Sequence, residues 1–371
     1  APAGPDGSGA PGGSGAGSDA VRRLTACAIA NLLASAHNQR LLVECNGIKP
    51  LVALAQESLE PELQAQCLRA VANLAVSPQH RANILQARAL PLIVRTLRGA
   101  SLRGSGTHTF SVLRHAARAV GNMCAGGEIG LAMQQKAAAE GAIGALLPLL
   151  TSEYEHAEDM ARAGIDLGTR GADVDELLRE TVRALAKLAE LKANLRPIGE
   201  ADEVRLVIRM MRADAHASLG VQRECLELLC RLADLSACLV AMVEDGIVPP
   251  LLALLQLNEA EVEAPAAELL AKLAQVKEYQ TLIPRDDTLP HLVELLRSAS
   301  PPTQLAGLRA LNELLFENVP NQCAALAAGL LEPAVRLARS DDEPINSAAA
   351  TLLCQLVLAE AEGGPRLGPS A

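Results

Sequence analysis

Apolar residues recur along this chain in short helical patterns, and each pattern is interrupted by one polar residue at the same place. The clearest copy is RAVANLAV at residues 69–76, and seven related segments follow it or precede it. We call the central polar residues the markers: Asn31, Asn73, Asn122, Lys187, Arg231, Lys272, Glu313 and Gln355. Successive markers are 42, 49, 65, 44, 41, 41 and 42 residues apart. A helix that returns about every 40–47 residues predicts an all-α solenoid of helical repeats.

The first complete repeat, residues 37–77, is predicted to contain three helices. A short helix ends at Asn46-Gly47, a second helix follows, and a turn at Glu60-Pro61 leads into a longer third helix that carries the marker Asn73. Asn-Gly and Glu-Pro are turn sequences, and proline is well tolerated at the first position of a helix. The marker therefore lies on the third helix of its repeat.

The segment HNQRLLVECNGIKPLVALAQESLEPELQAQCLRAVANLAV resembles an armadillo repeat along its whole length. The matching features are the opening Asn-Gln, the glycine before the second helix, the Pro-Leu-Val run and the closing Asn-Leu-Ala. Looser copies span residues 78–127, 128–191, 192–235, 236–276, 277–318 and 319–360. The resemblance implies a right-handed α-solenoid over residues 20–360, with a partial first repeat and about seven further repeats.

Four segments depart from this repeat pattern. Residues 1–19 are rich in Gly, Pro and Ser and are predicted to be a disordered leader, and residues 361–371 are predicted to be a flexible tail. Two repeats are too long, and we assign the excess to insertions at residues 99–109 and 152–176, between the second and third helices. Each insertion is either a neutral surface loop, which costs little closure entropy, or part of a binding face.

The composition of the chain excludes several classes of fold and function. Hydrophobic residues make up 50% of the chain but aromatic residues only 1%, which favours close helix packing over a β-sandwich. The net charge of −10 argues against nucleic-acid binding. The nine cysteines form no CxxC pair, as expected for reduced thiols in the cytoplasm, with a ciliary or cytoskeletal location as a variant. No apolar run reaches 18 residues, so we expect no transmembrane segment.

The sequence contains few residue patterns that are typical of catalytic or metal-binding sites. The seven histidines show no HxxxH or HxH spacing, and Gly104-Ser105-Gly106 lacks the pattern of a phosphate-binding loop. A Cys–His nucleophile is not excluded, but no cysteine is singled out. We therefore expect a non-catalytic protein that uses no cofactor and no metal.

The resemblance also implies where a partner binds. In armadillo proteins the third helices line the concave groove, and in peptide-binding members such as importin-alpha the marker Asn bonds the peptide backbone. A Trp four residues earlier stacks on the peptide side chains. This chain contains no Trp, so the resemblance disfavours an importin-alpha-like transport adaptor.

Arginines replace several of those tryptophans. Arg69/Asn73, Arg118/Asn122 and Arg183/Lys187 are three successive pairs that lack an acid, whereas Glu227/Arg231 and Glu268/Lys272 have the favourable i,i+4 order for pairing on one helix. A groove that is basic in its first half predicts binding of an extended acidic or phosphorylated protein segment. The predicted groove residues are Asn31, Arg69, Asn73, Arg118, Asn122, Arg183, Lys187 and Arg231. The alternative is that the arginines pair with acids such as Glu180 or Glu224.

The last helix, residues 345–359, has apolar residues on most sides, whereas terminal repeats usually present a polar outer face. Either a further segment, a self-contact or a neighbouring protein covers it, or its small alanines tolerate exposure. We interpret the chain as a scaffold or adaptor, in character closest to cytoplasmic and axonemal scaffold armadillo proteins. The alternative from another class is a structural subunit of a large assembly such as the ciliary axoneme.

Overall fold

The fold was analysed in a computed structural model, which describes residues 14–100, 107–162, 168–199, 203–212, 217–257, 259–281, 283 and 288–361. Within these residues the chain is helical and contains no β-strand. The all-α solenoid class is confirmed. The helices form two compact units, residues Ala1–Leu149 (unit 1) and Leu150–Ala371 (unit 2).

Unit 1 contains a lone third helix, one complete repeat, a second repeat that opens with a 3-10 turn at Pro78–His80, and the start of a third repeat. Its helices are α1 (Ser14–Leu32), α2 (Ala36–Glu44), α3 (Ile48–Glu57), α4 (Pro61–Ala75), α5 (Arg81–Gln86), α6 (Ala89–Ala100), α7 (Thr107–Cys124), α8 (Gly127–Glu140) and α9 (Ile143–Arg162), which continues into unit 2. The third helices pack side by side, α1 on α4 and α4 on α7.

Unit 2 repeats the same arrangement. Its helices are α10 (Gly168–Leu188), α11 (Lys192–Gly199), α12 (Glu203–Met210), α13 (Leu219–Leu232), α14 (Ser236–Glu244), α15 (Val248–Leu255), α16 (Ala260–Ala274), α17 (Thr288–Leu295), α18 (Pro301–Leu315), α19 (Val319–Ala327), α20 (Leu331–Leu337) and α21 (Glu343–Ala361). The third helices α10, α13, α16, α18 and α21 pack in that order. Where the repeat at 277–318 was predicted to open with a helix, the described residues form only the 3-10 turn Tyr279–Thr281.

Leucine and alanine side chains fill the interior of both units. Leu74 and Leu97 in unit 1 and Leu229 and Leu270 in unit 2 are fully buried, and alanines such as Ala70 allow neighbouring third helices to approach closely. Burial of a leucine contributes about 1.5–3 kcal/mol, and this term recurs in every repeat. Stability therefore comes from contacts between neighbours, as in other repeat proteins.

A buried side-chain donor near the start of three repeats bonds to backbone carbonyls at the ends of two consecutive third helices. Gln39 donates from Nε2 to the carbonyl oxygens of Leu33 and Asn73, at 2.9 and 3.2 Å. Gln280 does the same in unit 2, at 3.1 and 3.0 Å from two carbonyl oxygens on α16 and α18. The guanidinium of Arg81 occupies the equivalent place beside Ala75 and Ala125. These donors satisfy carbonyls that helix C-termini leave without a partner.

The turn between first and second helices contains one residue with a left-handed backbone. In the first complete repeat this residue is Asn46 (φ 54°), within the predicted Asn46-Gly47 turn. Asparagine is one of the few non-glycine residues that adopt this conformation readily. In the next repeat the left-handed residue is Arg88 (φ 57°). Gly141 (φ 91°) serves the same purpose in the third repeat.

The predicted leader is corrected at its end, because α1 begins at Ser14 and not after residue 19. Extension of an existing helix adds one hydrogen bond for each residue ordered, so a helix held by packed residues such as Ala26 and Ala30 continues upstream at low cost. Residues 1–13 lie outside the described part of the chain. The predicted tail, residues 361–371, was placed one residue too early, because α21 ends at Ala361. Residues 362–371 lie outside the described part of the chain.

The longer insertion, predicted as a loop at residues 152–176, is largely helical. Helix α9 continues to Arg162 and α10 begins at Gly168. Tyr154 is buried, and the guanidinium of Arg209 lies 5.8 Å from its ring centroid and pairs with Glu158. These contacts hold the extension against α12. The other insertion, 99–109, lies mostly outside the described residues, and its ends belong to α6 and α7.

No single helix in the described ranges is both long and apolar enough to cross a membrane. The helices α14 and α15 reach the required length and hydropathy only as a pair, with a bend of 82° between them.

Candidate functional site

The marker asparagines of unit 1 bond to neighbouring helices. Asn73 donates from Nδ2 to the carbonyl oxygen of Ala30 at 2.9 Å, and Asn122 donates to Ala72 at 2.9 Å. Each acceptor directly precedes the marker of the previous third helix. Asn122 is only 4% exposed. The sequence predicted that these amides face a bound segment, and for Asn122 this is wrong because its side chain is inside the helix stack.

Arg69 and Arg118, the two predicted groove arginines of unit 1, each contact neutral amides. Arg69 donates to Oδ1 of Asn31 on α1 and to Oε1 of Gln66 at 3.2 Å on its own helix. Arg118 donates to Oδ1 of Asn73 at 3.3 Å. Both arginines are half-buried, and no carboxylate of the described residues lies within ion-pair distance of either. The face formed by α1, α4 and α7 therefore carries two guanidinium charges that no acid of the described residues neutralises.

The equivalent cations of unit 2 are neutralised, contrary to the prediction for Arg183 and Lys187. Arg183 pairs with Glu180 at 3.0 Å, and Lys187 pairs with Glu190 at 3.0 Å and Glu227 at 3.6 Å. Glu180 and Glu190 lie three residues from their partners, so one helical turn brings each pair together. The basic stripe is thus confined to the first two of the three predicted pairs.

The i,i+4 pairs predicted further along unit 2 are also replaced by contacts between helices. Lys272 donates to the carbonyl oxygen of Cys230 at 2.8 Å and pairs with Asp234. Glu268 pairs with Arg309 on the next third helix at 3.2 Å. Arg231 is exposed and has no ion-pair partner within the described ranges. Adjacent third helices are close enough for such pairs, and a pair on one helix contributes only about 0.3–0.5 kcal/mol.

The difference between the two units originates at one position, three residues before the arginine of each third helix. Unit 2 has the buried acid Glu180 there, whereas unit 1 has Gln66 on α4 and His115 on α7. His115 is 7% exposed, and its Nδ1 has no hydrogen-bond partner. Burial, followed by the charges of Arg114, Arg118 and Arg69, lowers the pKa of His115 to about 3. His115 is therefore neutral at pH 7, and, unlike Glu180, a histidine supplies no negative charge to a neighbouring arginine in either protonation state.

The sequence offered Glu180 and Glu224 as alternative partners of the arginines, and the Arg183–Glu180 pair confirms that alternative for Arg183, but it did not single out the position that these acids share. A comparison of the repeats at a fixed distance from each marker would have revealed it, because residues seven before the marker read Gln66, His115, Glu180 and Glu224 along the chain. Glu224 is buried and pairs with Arg223 at 2.6 Å.

Comparison with known proteins agrees with this architecture. Residues 35–76 match the Armadillo/beta-catenin-like repeat family. No curated protein matches the sequence of this chain. A crystal structure of an engineered protein from the Northeast Structural Genomics Consortium is similar, with 26% identity and a TM-score of 0.62 over 90% of this chain and 84% of that one.

Two designed proteins share the fold. A designed armadillo repeat protein in complex with peptide (KR)4 has 22% identity and a TM-score of 0.54, and the match covers 72% of this chain and 99% of that chain. Computationally designed armadillo repeat proteins for modular peptide recognition give 20% identity, a TM-score of 0.55 and the same coverages. Residues 35–76 are therefore an armadillo repeat, and the chain has the armadillo-repeat fold.

This fold suggests a protein-binding scaffold, and armadillo scaffolds are typically non-catalytic. Among the residues that the structure describes, no group of three or more His, Cys, Asp or Glu side chains is placed to hold a metal ion. The marker face of unit 1, formed by Asn31, Arg69, Asn73 and Arg118, is the candidate binding site.

Proposed function

We propose that the protein is a non-catalytic scaffold whose unit 1 binds an extended acidic or phosphorylated protein segment on the marker face. The observation that carries this proposal is that Arg69 and Arg118 have only neutral amide partners, while Arg183 at the same position in unit 2 is paired with Glu180. Guanidinium groups fork onto carboxylates and phosphates in two parallel hydrogen bonds. An anionic segment would supply the charge that Gln66 and His115 do not.

The charge of the marker face also sets this chain apart from one of its structural neighbours. That designed protein is in complex with peptide (KR)4, which is basic. Here the face presents arginines and no Trp, so the same groove geometry favours a segment of the opposite charge.

The test uses a fluorescent oligoglutamate peptide, the same peptide with phosphoserine, and an oligolysine peptide, with anisotropy as the readout. We expect both anionic peptides to bind with an affinity that falls as salt rises, and oligolysine not to bind. Arg69→Gln with Arg118→Gln should weaken binding about 10-fold or more, since one charge-assisted hydrogen bond contributes about 1.5–3 kcal/mol.

Two further variants make the test specific. Gln66→Glu keeps both arginines but installs the acid that precedes Arg183, and it should weaken binding as the arginine substitutions do. Arg309→Gln removes a cation of unit 2 that is paired with Glu268 and should leave binding unchanged. Equal affinity for oligolysine, or full binding by the Gln66→Glu variant, would exclude the marker face as an anion site.

A structural role in a large assembly is the alternative, and the terminal helix α21 favours it. Val357 and Leu358 are 55% and 64% exposed there, which fits a neighbouring protein that covers this end. A concentration-dependent increase in mass on sedimentation, abolished by Val357→Lys with Leu358→Lys, would support that role. We also propose a cytoplasmic location, consistent with nine cysteines that form no disulfide, and a fluorescent fusion would distinguish it from a ciliary one.

A further inference from the structure

A cavity of about 350 Å³ lies in unit 2 between α15, α16 and α17. Its walls include Leu255, Gln256, Glu263, His291, Glu294 and Arg297. Ligand pockets in proteins range from about 300 to 1,000 Å³. The cavity is therefore at the small end of that range and suits a single side chain better than a large cofactor.

Glu263 is the feature of this cavity that the fold does not explain. Glu263 is only 5% exposed, and no hydrogen-bond donor or cation among the described residues contacts its carboxylate. The arginine in the cavity wall, Arg297, already pairs with Glu294 at 3.0 Å and with Glu332 at 3.4 Å. Its carboxylate oxygens are not among the fully buried polar atoms that lack a partner, so they are accessible from the cavity. Burial of the side chain, followed by the charge of Glu259, raises the pKa of Glu263.

Other repeats show what a structural side chain does at this position, nine residues before the marker. Gln64 in unit 1 donates to the carbonyl oxygen of Ser58 at 2.5 Å, and Gln304 donates to that of Ser298 at 2.7 Å. Both amides satisfy a carbonyl in the turn between second and third helices. An ionised carboxylate cannot donate, so Glu263 does not serve this purpose. The related cavity of unit 1, about 280 Å³, has Gln64 and Arg95 in its wall and no acid.

We propose that the cavity binds the ammonium or guanidinium group of a basic side chain from a partner protein, with Glu263 as its counter-ion. Leu255 and Leu295 in the wall would contact the methylene groups of that side chain, as aliphatic stems of Lys and Arg commonly pack on apolar surface. A bare metal ion is disfavoured because it requires several oxygen ligands, and no group of three metal-binding side chains occurs in the described part. This site is independent of the marker face of unit 1.

N-acetylarginine amide and N-acetyllysine amide serve as probes in an NMR titration of the full chain. The reporter is the imidazole of His291, which lies in the cavity wall. We expect a saturable shift of the His291 signal with at least one probe, and none with the uncharged N-acetylcitrulline amide. Glu263→Gln should weaken the binding at least about 10-fold, and this variant should fold because Gln64 and Gln304 occupy the equivalent positions.

Glu332→Gln provides the matched control, since Glu332 is an exposed acid that contacts Arg297 but is not in the cavity wall. It should retain the His291 response. An unperturbed His291 signal in the wild type, or an equal response in the Glu263→Gln variant, would overturn the proposal. A response to citrulline as strong as to arginine would overturn it as well, because the site would then not be selective for charge.

Discussion

His115 is buried beside the arginines of unit 1, and both its burial and their charges disfavour its protonated form in the folded protein. Its pKa is lowered from 6.5 to about 3, first by burial and then by three arginines. The unfolded chain therefore takes up a proton below pH 6.5 that the folded protein does not. For a group of this kind, the free energy of unfolding decreases as the pH falls from 6.5 toward 3.

The size of this effect follows from the two pKa values. At pH 5, about 1.5 units below the unfolded value, the loss is about 2 kcal/mol at 1.36 kcal/mol for each pH unit. In the His115→Gln variant, which copies Gln66 at the equivalent position, this term is absent. The decrease in unfolding free energy between pH 8 and pH 5 should therefore be about 2 kcal/mol smaller in the variant than in the wild type.

Urea denaturation at pH 8 and pH 5 measures the difference. Because the slope in urea rises with chain length above the roughly 1–3 kcal/mol per molar of small proteins, 2 kcal/mol corresponds to a midpoint shift of less than about 1 M. His37→Gln is the control, because His37 is exposed on α2 and its loss removes a histidine without touching the arginines. If His115→Gln loses as much stability as the wild type between these pH values, the pKa of His115 is not lowered in the folded protein, and the effect of its burial and of the neighbouring arginines is refuted.

Three further substitutions test the fold and the cavity by the same method. Gln280→Ala should cost about 1–3 kcal/mol because it leaves two buried carbonyls unpaired, and a neutral result would show that water replaces the amide. Gly141→Ala should cost about 1–2 kcal/mol, since its φ of 91° disfavours a side chain and a Cβ would meet the guanidinium of Arg98. Glu263→Gln should stabilise the protein at pH 7, because burial and Glu259 disfavour the charged carboxylate and raise its pKa. The gain should be smaller at lower pH, where protonation of Glu263 removes that unfavourable charge in the wild type. A destabilised variant would contradict this.

The repeat pattern predicted the fold well because it reflects the contacts that hold the fold together. Pro61 was predicted to open the third helix, and α4 begins there. The spacing between markers could not show what the extra residues of a long repeat do. Residues 152–162 were assigned to a loop from length alone, although their alanine and glutamate residues favour helix. Tyr154 then anchors the extension by burial, which no spacing reveals.

The partners of the charged residues were harder to predict than their positions. The markers do lie on packed third helices, but Lys272 pairs with Asp234 and not with Glu268. Such a choice depends on the offset between adjacent helices. That offset is a tertiary property, and i,i+4 spacing within one helix carries no information about it. For the same reason the sequence placed Asn122 in the groove, whereas its amide bonds to the backbone of α4.

Because the repeats are structurally equivalent, the chain contains its own comparison for the proposed site. At one position unit 2 uses Glu180 to neutralise Arg183, so the fold accommodates an acid there without difficulty. Unit 1 instead has Gln66 and His115 beside Arg69 and Arg118, and His115 is buried among like charges at a cost in stability below pH 6.5. Packing alone would be served as well by Glu as by these residues. Local departures from the stable pattern that bring no structural gain are typical of functional sites, and this departure leaves two arginines available to an anionic partner.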